Sequence, residues 1–358
     1  MKRVLPLFIV LIFNIITSFG QVSEIRNLID QGVTQHDQGN YEAAIEAYND
    51  ALDIDSTNIE AIYELSLSYL AINDYEKASE YSTKVIDKQD EKLTIGAYAV
   101  KSEALAEMGK VDDAIELLKG ALEKYGDNYL LHFNLALNYF KKRDNDKAIV
   151  HVNKAIDLNK SHSGAFLLNA YLLNDKGHWI KSILSFQMFL LLEPDSKRSK
   201  NAFNEMLQTM QIRKSDKTVQ RSFIQMQMMK KDAAAKPDDD DTPPLTSVNG
   251  LDRHALYQAI NNTIDSLQQT DDKNNEYLIF KTVNSTILDE LDRQSENNSN
   301  GILWTYYVPF FTKIKQSKFY DTYCRYISVG FFPESLQWWD QNLNQAIEFV
   351  TWFEEGGE

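Results

Sequence analysis

The chain has 358 residues, 43% hydrophobic and 25% charged, the make-up of a globular protein with room for roughly two or three domains. Its 52 acidic residues outnumber 37 basic ones, a formal net charge of −15, which argues against a mainly nucleic-acid-binding role because phosphate contacts need Lys and Arg. A single cysteine, Cys324, excludes any intramolecular disulfide, so stability has to come from packing.

The first segment, 1–20, reads as a secretory signal. Lys2 and Arg3 supply the positive start, and Val4 to Ile16 an apolar stretch interrupted by Pro6 and Asn14. Ser18-Phe19-Gly20 ends in small residues at the spacing a signal peptidase reads, which makes Gln21 the first mature residue. A retained anchor is the alternative, but the apolar run falls short of the ~20 residues of a spanning helix. No cysteine follows the run to carry a lipid. These features predict export, to the periplasmic side of a bacterial envelope.

From Ile25 onward the chain repeats itself. Small residues recur at Ala44, Ala78, Ala114, Ala148 and Ser182, in steps of 34, 36, 34 and 34. The same steps link Gly32, Ser66, Ser102, Ala136 and Ala170, and again Ala51, Val85, Ala121, Ala155 and Phe189. Self-similarity at this period predicts stacked two-helix units, none able to bury its apolar face alone. Small residues let helix backbones approach closely, and Gly39, Gly109 and Gly177 suit the left-handed turn that ends a helix. Five units begin at Ile25, Ile59, Ile95, Tyr129 and Ser163, and the last stops at Pro194.

These units resemble the tetratricopeptide repeat. The first fits best, with Gly39-Asn40-Tyr41 at the turn and Ala44, Tyr48 and Ala51 along the second helix. Departures are Ser56, Asp90, Gly126 and Lys160 in place of the terminal Pro, Arg143 in place of the turn Gly, and two extra residues between Asp90 and Leu93. The resemblance implies that the first helix of each hairpin lines a concave face through its second, fifth, ninth and twelfth positions. Here those include Tyr63, Leu67, Leu70, Phe133, Leu137, Phe140, Leu167 and Tyr171, with Arg26, Glu103 and Asn174 as isolated polar points. Such a wall suits an apolar segment of a protein partner, extended or helical. Some relatives grip a C-terminal carboxylate with Lys and Asn on the first inner helix. Ile29 and Val33 stand there instead, which disfavours that mode.

Residues 197–236 turn basic, with ten Lys and Arg against Glu205, Asp216 and Asp232, and hold five of the eight methionines. Phe203, Met206, Leu207 and Met210 spell one helix face, so 197–231 is expected to be a capping helix that seals the array and extends beyond it. A basic, Met-bearing face for an acidic partner or a peripheral membrane contact is the other reading. Residues 232–250, with Pro237, Asp238 to Asp241, Pro243 and Pro244, read as an acidic linker without the alternating ligands of a calcium loop.

Residues 251–358 show no repeat. Leu256, Ile260, Ile264 and Leu267, then Leu278, Val283, Ile287 and Leu291, recur at helical spacing, and Glu296 to Gly301 reads as a loop. Four of the five tryptophans follow. Four to five helices with an aromatic core are expected. The pairs Phe331-Phe332 and Trp338-Trp339 cannot both face inward on a regular element, so one member of each is a candidate exposed anchor.

No catalytic pattern stands out. His36, His132, His151, His162, His178 and His254 are scattered, without a zinc-ligand pair, a glycine-rich phosphate loop or a G-x-S-x-G elbow. The expectation is a mainly α-helical protein without cofactor or metal. Its parts are a solenoid at 21–196, the capping helix, the linker and a smaller aromatic-rich helical domain. Its expected role is an exported scaffold that binds a protein partner through the concave face. A periplasmic chaperone, or a C-terminal domain with glycan-binding or enzymatic activity, are the alternatives.

Overall fold

The computed structural model describes residues 5–210, 212 and 250–356, with side chains from Gln21 onward. Among these residues the fold is helical without a strand. It divides into two compact units, Met1–Asn159 and Lys160–Glu358.

The first unit is a solenoid of four hairpins: α1 (Leu5–Asp37) with α2 (Tyr41–Ile54), α3 (Ile59–Ala71) with α4 (Tyr75–Lys88), α5 (Thr94–Glu107) with α6 (Val111–Tyr125), and α7 (Tyr129–Lys141) with α8 (Asn145–Leu158). Ala44, Ala78, Ala114 and Ala148 are all fully buried, as are Ser66, Ser102 and Ala136 on the facing helices. The small side chains therefore sit where the helices of each pair cross, as their period requires. Gly32 belongs to the same set: a Cβ there would collide with the Tyr48 ring, which lies fully buried against the bare backbone.

One backbone device ends the first helix of every hairpin. Gly39, Asn73, Gly109, Arg143 and Gly177 all take a positive φ, between 63° and 81°. The next residue then donates its N–H to the carbonyl five positions back: Asn40 to Gln35, Asp74 to Tyr69, Lys110 to Leu105, Asp144 to Tyr139, and His178 to Leu173. This hydrogen bond satisfies a carbonyl the helix leaves open. Asp74 and Asp144 double as N-caps of the following helices, accepting from Lys77 N and Lys147 N. The two extra residues of the second step are taken up after α4, where Gln89 turns left-handed and Asp90 Oδ1 accepts from Lys92 N and Leu93 N at 2.9 and 3.0 Å.

The second unit begins with the fifth hairpin, α9 (Ser163–Asp175) and α10 (Trp179–Leu192), followed by α11 (Lys197–Thr209). After the undescribed stretch come α12 (Arg253–Gln268), α13 (Glu276–Ser295), a π-helical turn at Leu303–Tyr307, α14 (Val308–Gln316), α15 (Tyr320–Ile327), α16 (Pro333–Gln341) and α17 (Leu343–Glu354). That is six α-helices where four to five were expected, because the aromatic stretch is cut into short pieces at Ser317, Ser328 and Asn342. Phe203, Met206 and Leu207 of α11 and Met210 at its C-terminal cap are buried, the face their spacing predicted. Beyond Met210, the basic stretch to residue 231 apart from Ile212, and the linker apart from Gly250, lie outside the described residues.

The core of the second unit is built around α10. From Trp179 to Leu191 every residue of this helix but Lys181 is buried. Hydrophobic contact is completed by polar pairs that the burial demands. Gln187 donates from Nε2 to Asn284 Oδ1 on α13 at 2.8 Å and accepts from the Tyr323 hydroxyl on α15. Ser185 pairs with the Tyr307 hydroxyl at 3.0 Å. Phe203 of α11 adds an aromatic cluster with Phe280 and Phe331, each at 5.0 Å, and with Phe332.

Candidate functional site

In the first unit the first helices pack on one another in succession, α1 on α3, α3 on α5, and α5 on α7, while the second helices approach one another less. The first helices therefore form the inner layer of the unit. On α3 this layer presents Tyr63, Leu67 and Leu70, all half-buried, and on α7 it presents Phe133 and Leu137, also half-buried, while Phe140 is buried. Between them α5 contributes little bulk: a Cβ at Gly96 would collide with the Tyr63 hydroxyl, so the absence of a side chain is what lets the tyrosine lie across α5. In the second unit, Leu167 and Tyr171 are buried, and Tyr171 packs edge-on against Phe186 within its own hairpin at 5.3 Å. The fifth hairpin thus offers these two side chains less freely than α3 and α7 offer theirs.

The polar points on the inner layer are partly tied to neighbours. Arg26 reaches Asp30 at 3.1 Å and Glu60, one repeat on, at 3.3 Å. His36 Nδ1 pairs with Ser68 Oγ at 2.8 Å. Lys141 and Glu107, again 34 residues apart, pair at 2.5 Å. Two carboxyls differ. Burial pushes Glu64 above the usual carboxylate range, helped by the nearby Glu60 and Asp37. Burial does the same to Glu103, opposed by Lys141. Glu103 nonetheless keeps an exposed side chain. Such a surface, large apolar side chains with solvent access beside a few desolvated carboxyls, is suited to holding a peptide segment; it assembles no nucleophile or acid–base pair.

Elsewhere, Cys324 is fully buried, and burial pushes its thiol up to about 12, the behaviour of a small apolar side chain. Of the paired aromatics, Phe332 is buried and Phe331 half-buried, while Trp338 and Trp339 are both half-buried. Among the described residues no group of three or more His, Cys, Asp and Glu is placed to hold a metal ion, and no helix is long and apolar enough to cross a membrane.

Hairpins crossing at small residues, with a common left-handed turn and an inner layer of first helices, define an α-solenoid of the repeat type. Residues 34–71 match the family model described as TPR repeat, and residues 59–87 and 105–171 match models described as tetratricopeptide repeat. This stretch, 34–171, is a tetratricopeptide repeat array. A TPR repeat-containing protein of Methanocaldococcus jannaschii is 26% identical over 144 residues, covering 40% of this chain and 24% of that protein. The BBSome complex member BBS4 of Bos taurus is 23% identical over 150 residues, covering 42% of this chain and 28% of that protein. The chain thus spans about a quarter of the length of the curated relatives it matches. Among solved structures, a thermophilic TPR protein of Thermus thermophilus aligns with a TM-score of 0.46 and 21% identity, over 52% of this chain and 99% of that one.

Repeats of this kind are protein–protein interaction modules. What the sequence pattern did not reveal is the role of α10, although a signal was present. Its run Trp-Ile-Lys-Ser-Ile-Leu-Ser-Phe-Gln-Met-Phe-Leu-Leu-Leu is apolar all round, the mark of a helix covered on every side.

Proposed function

We propose that the protein is a scaffold whose inner helix layer, in the first unit, docks an apolar segment of a protein partner. Tyr63, Leu67, Leu70, Phe133 and Leu137 are the contact residues, and Phe140 supports them from a more buried position. One observation carries the reading: five large apolar side chains on α3 and α7 keep solvent access, on helices that also bury apolar residues such as Ala61, Leu65, Leu131 and Leu135. Apolar side chains grouped this way mark interaction surfaces more often than chance exposure.

The same proposal places the protein in the cell envelope. Lys2 and Arg3, the apolar run to Ile16 and the Ser18-Phe19-Gly20 junction support export with Gln21 as the mature terminus. Fractionation with N-terminal sequencing of the mature chain tests this part, and a protein retained in the cytoplasm with an intact Met1 overturns it.

Docking is tested with the full chain carrying Leu67→Asp and Leu137→Asp, two half-buried positions that tolerate a polar residue better than the core. Cross-linking and quantitative mass spectrometry should recover one stoichiometric partner with the native protein and lose it with the double variant, while helicity and melting temperature stay close to native. Undiminished recovery of that partner by the variant would refute the inner layer as the contact surface.

A further inference from the structure

A cleft of about 790 Å³ in the second unit lies between α11, the start of α13 and the turn that opens α16. Its size is that of clefts which hold small ligands, roughly 300–1,000 Å³. Its lining is unusual for its amides. Asn201 and Asn204 come from α11, and Asn274 and Asn275 from the loop before α13. Asn275 already spends its Oδ1 in capping α13, accepting from Leu278 N at 2.9 Å. Phe331, Phe332 and Pro333 complete the apolar part of the lining. Phe332 is buried, whereas Phe331 keeps part of its ring accessible. That ring is held from two sides, by Phe203 at 5.0 Å and by Phe332 at 5.1 Å and 86°. The lining thus combines a braced aromatic ring with a set of amides.

We propose that this cleft is a binding site for an uncharged oligosaccharide, with Phe331 as the platform for the apolar face of a sugar ring and Asn201 and Asn274 as partners of its hydroxyls. Three features select this chemistry. A carboxamide offers donors and an acceptor in one plane, matching neighbouring hydroxyls that each both donate and accept. The charged lining is one lysine, Lys200, against two carboxylates, Glu276 and Glu334, which favours neither a phosphate nor a strongly cationic ligand. A wholly apolar ligand would strip water from the amides without replacing their hydrogen bonds. A pyranose has one hydrogen-rich apolar face and a polar rim, and meets both parts of the lining at once. The site lies within the second unit and stands or falls independently of docking by the first.

The test is calorimetric titration of the full chain with maltohexaose, cellohexaose, chitohexaose and xylohexaose. At least one is expected to bind, and Phe331→Ala to weaken that binding at least about tenfold, equivalent to ~1.4 kcal/mol. Phe331→Tyr keeps the ring and should stay close to native. Asn201→Ala, at an exposed position outside the core, should weaken binding severalfold without altering the fold. The proposal is overturned if none of the four sugars binds, if binding ignores Phe331→Ala and Asn201→Ala alike, or if inorganic phosphate or an uncharged serine-rich peptide occupies the cleft in their place.

Discussion

The fourth hairpin contains a proton-sensitive contact whose effect on stability can be worked out. His132 of α7 and His151 of α8 face each other with their Nδ1 atoms 2.9 Å apart, which requires one hydrogen between them. His132 Nε2 lies 3.2 Å from Asp127 Oδ1, and Lys154 holds the other oxygen of that carboxylate at 2.8 Å. The His151 ring stacks on Tyr139 at 5.4 Å, and Lys119 of α6 adds a further positive charge nearby. Burial, then His132 and Lys119, lower His151 from 6.5 to about 4. The unfolded chain therefore binds a proton on this imidazole that the folded chain refuses. Stability is complete above about pH 6.5, falls as the pH drops toward 4, and levels off below. At full strength this is on the order of 3 kcal/mol, but the ring is only half-buried, and solvent screening reduces the expected loss to about 1–2 kcal/mol. His151→Asn keeps a donor toward His132 and removes the titration. Urea denaturation of both proteins at several pH values from 7 to 4.5, with hydrogen exchange of the α7 and α8 amides to localise the effect, should show the native protein losing that much more than the variant. Parallel pH profiles, or a His151 titration near 6.5 by NMR, would show that the ring is not desolvated as the geometry requires.

Two further outcomes follow from the second unit. Tyr323→Phe removes the hydroxyl that Gln187 accepts from and leaves a buried amide oxygen unpaired, so urea unfolding should show a loss of about 1–3 kcal/mol; a change within a few tenths would mean that water replaces the hydroxyl. Cys324, its thiol raised to about 12 by burial, should resist an aromatic disulfide reagent at pH 8 in the native protein and react promptly once guanidinium unfolds it; prompt native labelling would contradict the packing of α15.

The repeat was legible because its requirement is steric and local. A helix crossing that admits only Gly, Ala or Ser leaves the same mark every 34 residues, whatever the surface does. The turns were legible at Gly39, Gly109 and Gly177 for the same reason. At Arg143 the left-handed conformation is imposed on a residue that gains nothing from it, because the hydrogen bond from Asp144 N to Tyr139 O fixes the backbone and the side chain bears the strain, of order 1–2 kcal/mol. The inner wall was only partly legible. Position within the repeat assigns Tyr63 and Leu137 to one face, but how much of each side chain remains open depends on what the neighbouring helix lacks, as Gly96 shows. The cleft of the second unit left no sequence signal at all. Its asparagines and Phe331 come from separate elements, and nothing in their spacing records that they meet.

The fifth hairpin explains where local reasoning stops. In α2 the side away from the inner layer carries Glu42, Glu46, Asp50 and Asp53, all exposed, as an outer helix of a solenoid needs. In α10 the corresponding residues are Ile180, Leu184, Met188 and Leu191, all buried, and beside them uncharged residues find distant partners: Gln187 meets Asn284 and Tyr323, and Ser185 meets Tyr307. An unpaired amide this deep would cost about 1–3 kcal/mol, so Gln187 is tolerable only if residues about a hundred positions further on arrive to meet it. The repeat therefore ends here by changing the use of its last helix. Ala170 and Ser182 still close the hairpin as in the four before it, while the opposite side of α10 serves as the centre of a different core. A chain ended at residue 231 keeps every repeat and still leaves α10 uncovered on the side that α13 and α15 protect. The division into two compact units falls between Asn159 and Lys160, inside the repeat pattern, so the fifth hairpin is counted with the core that α10 centres.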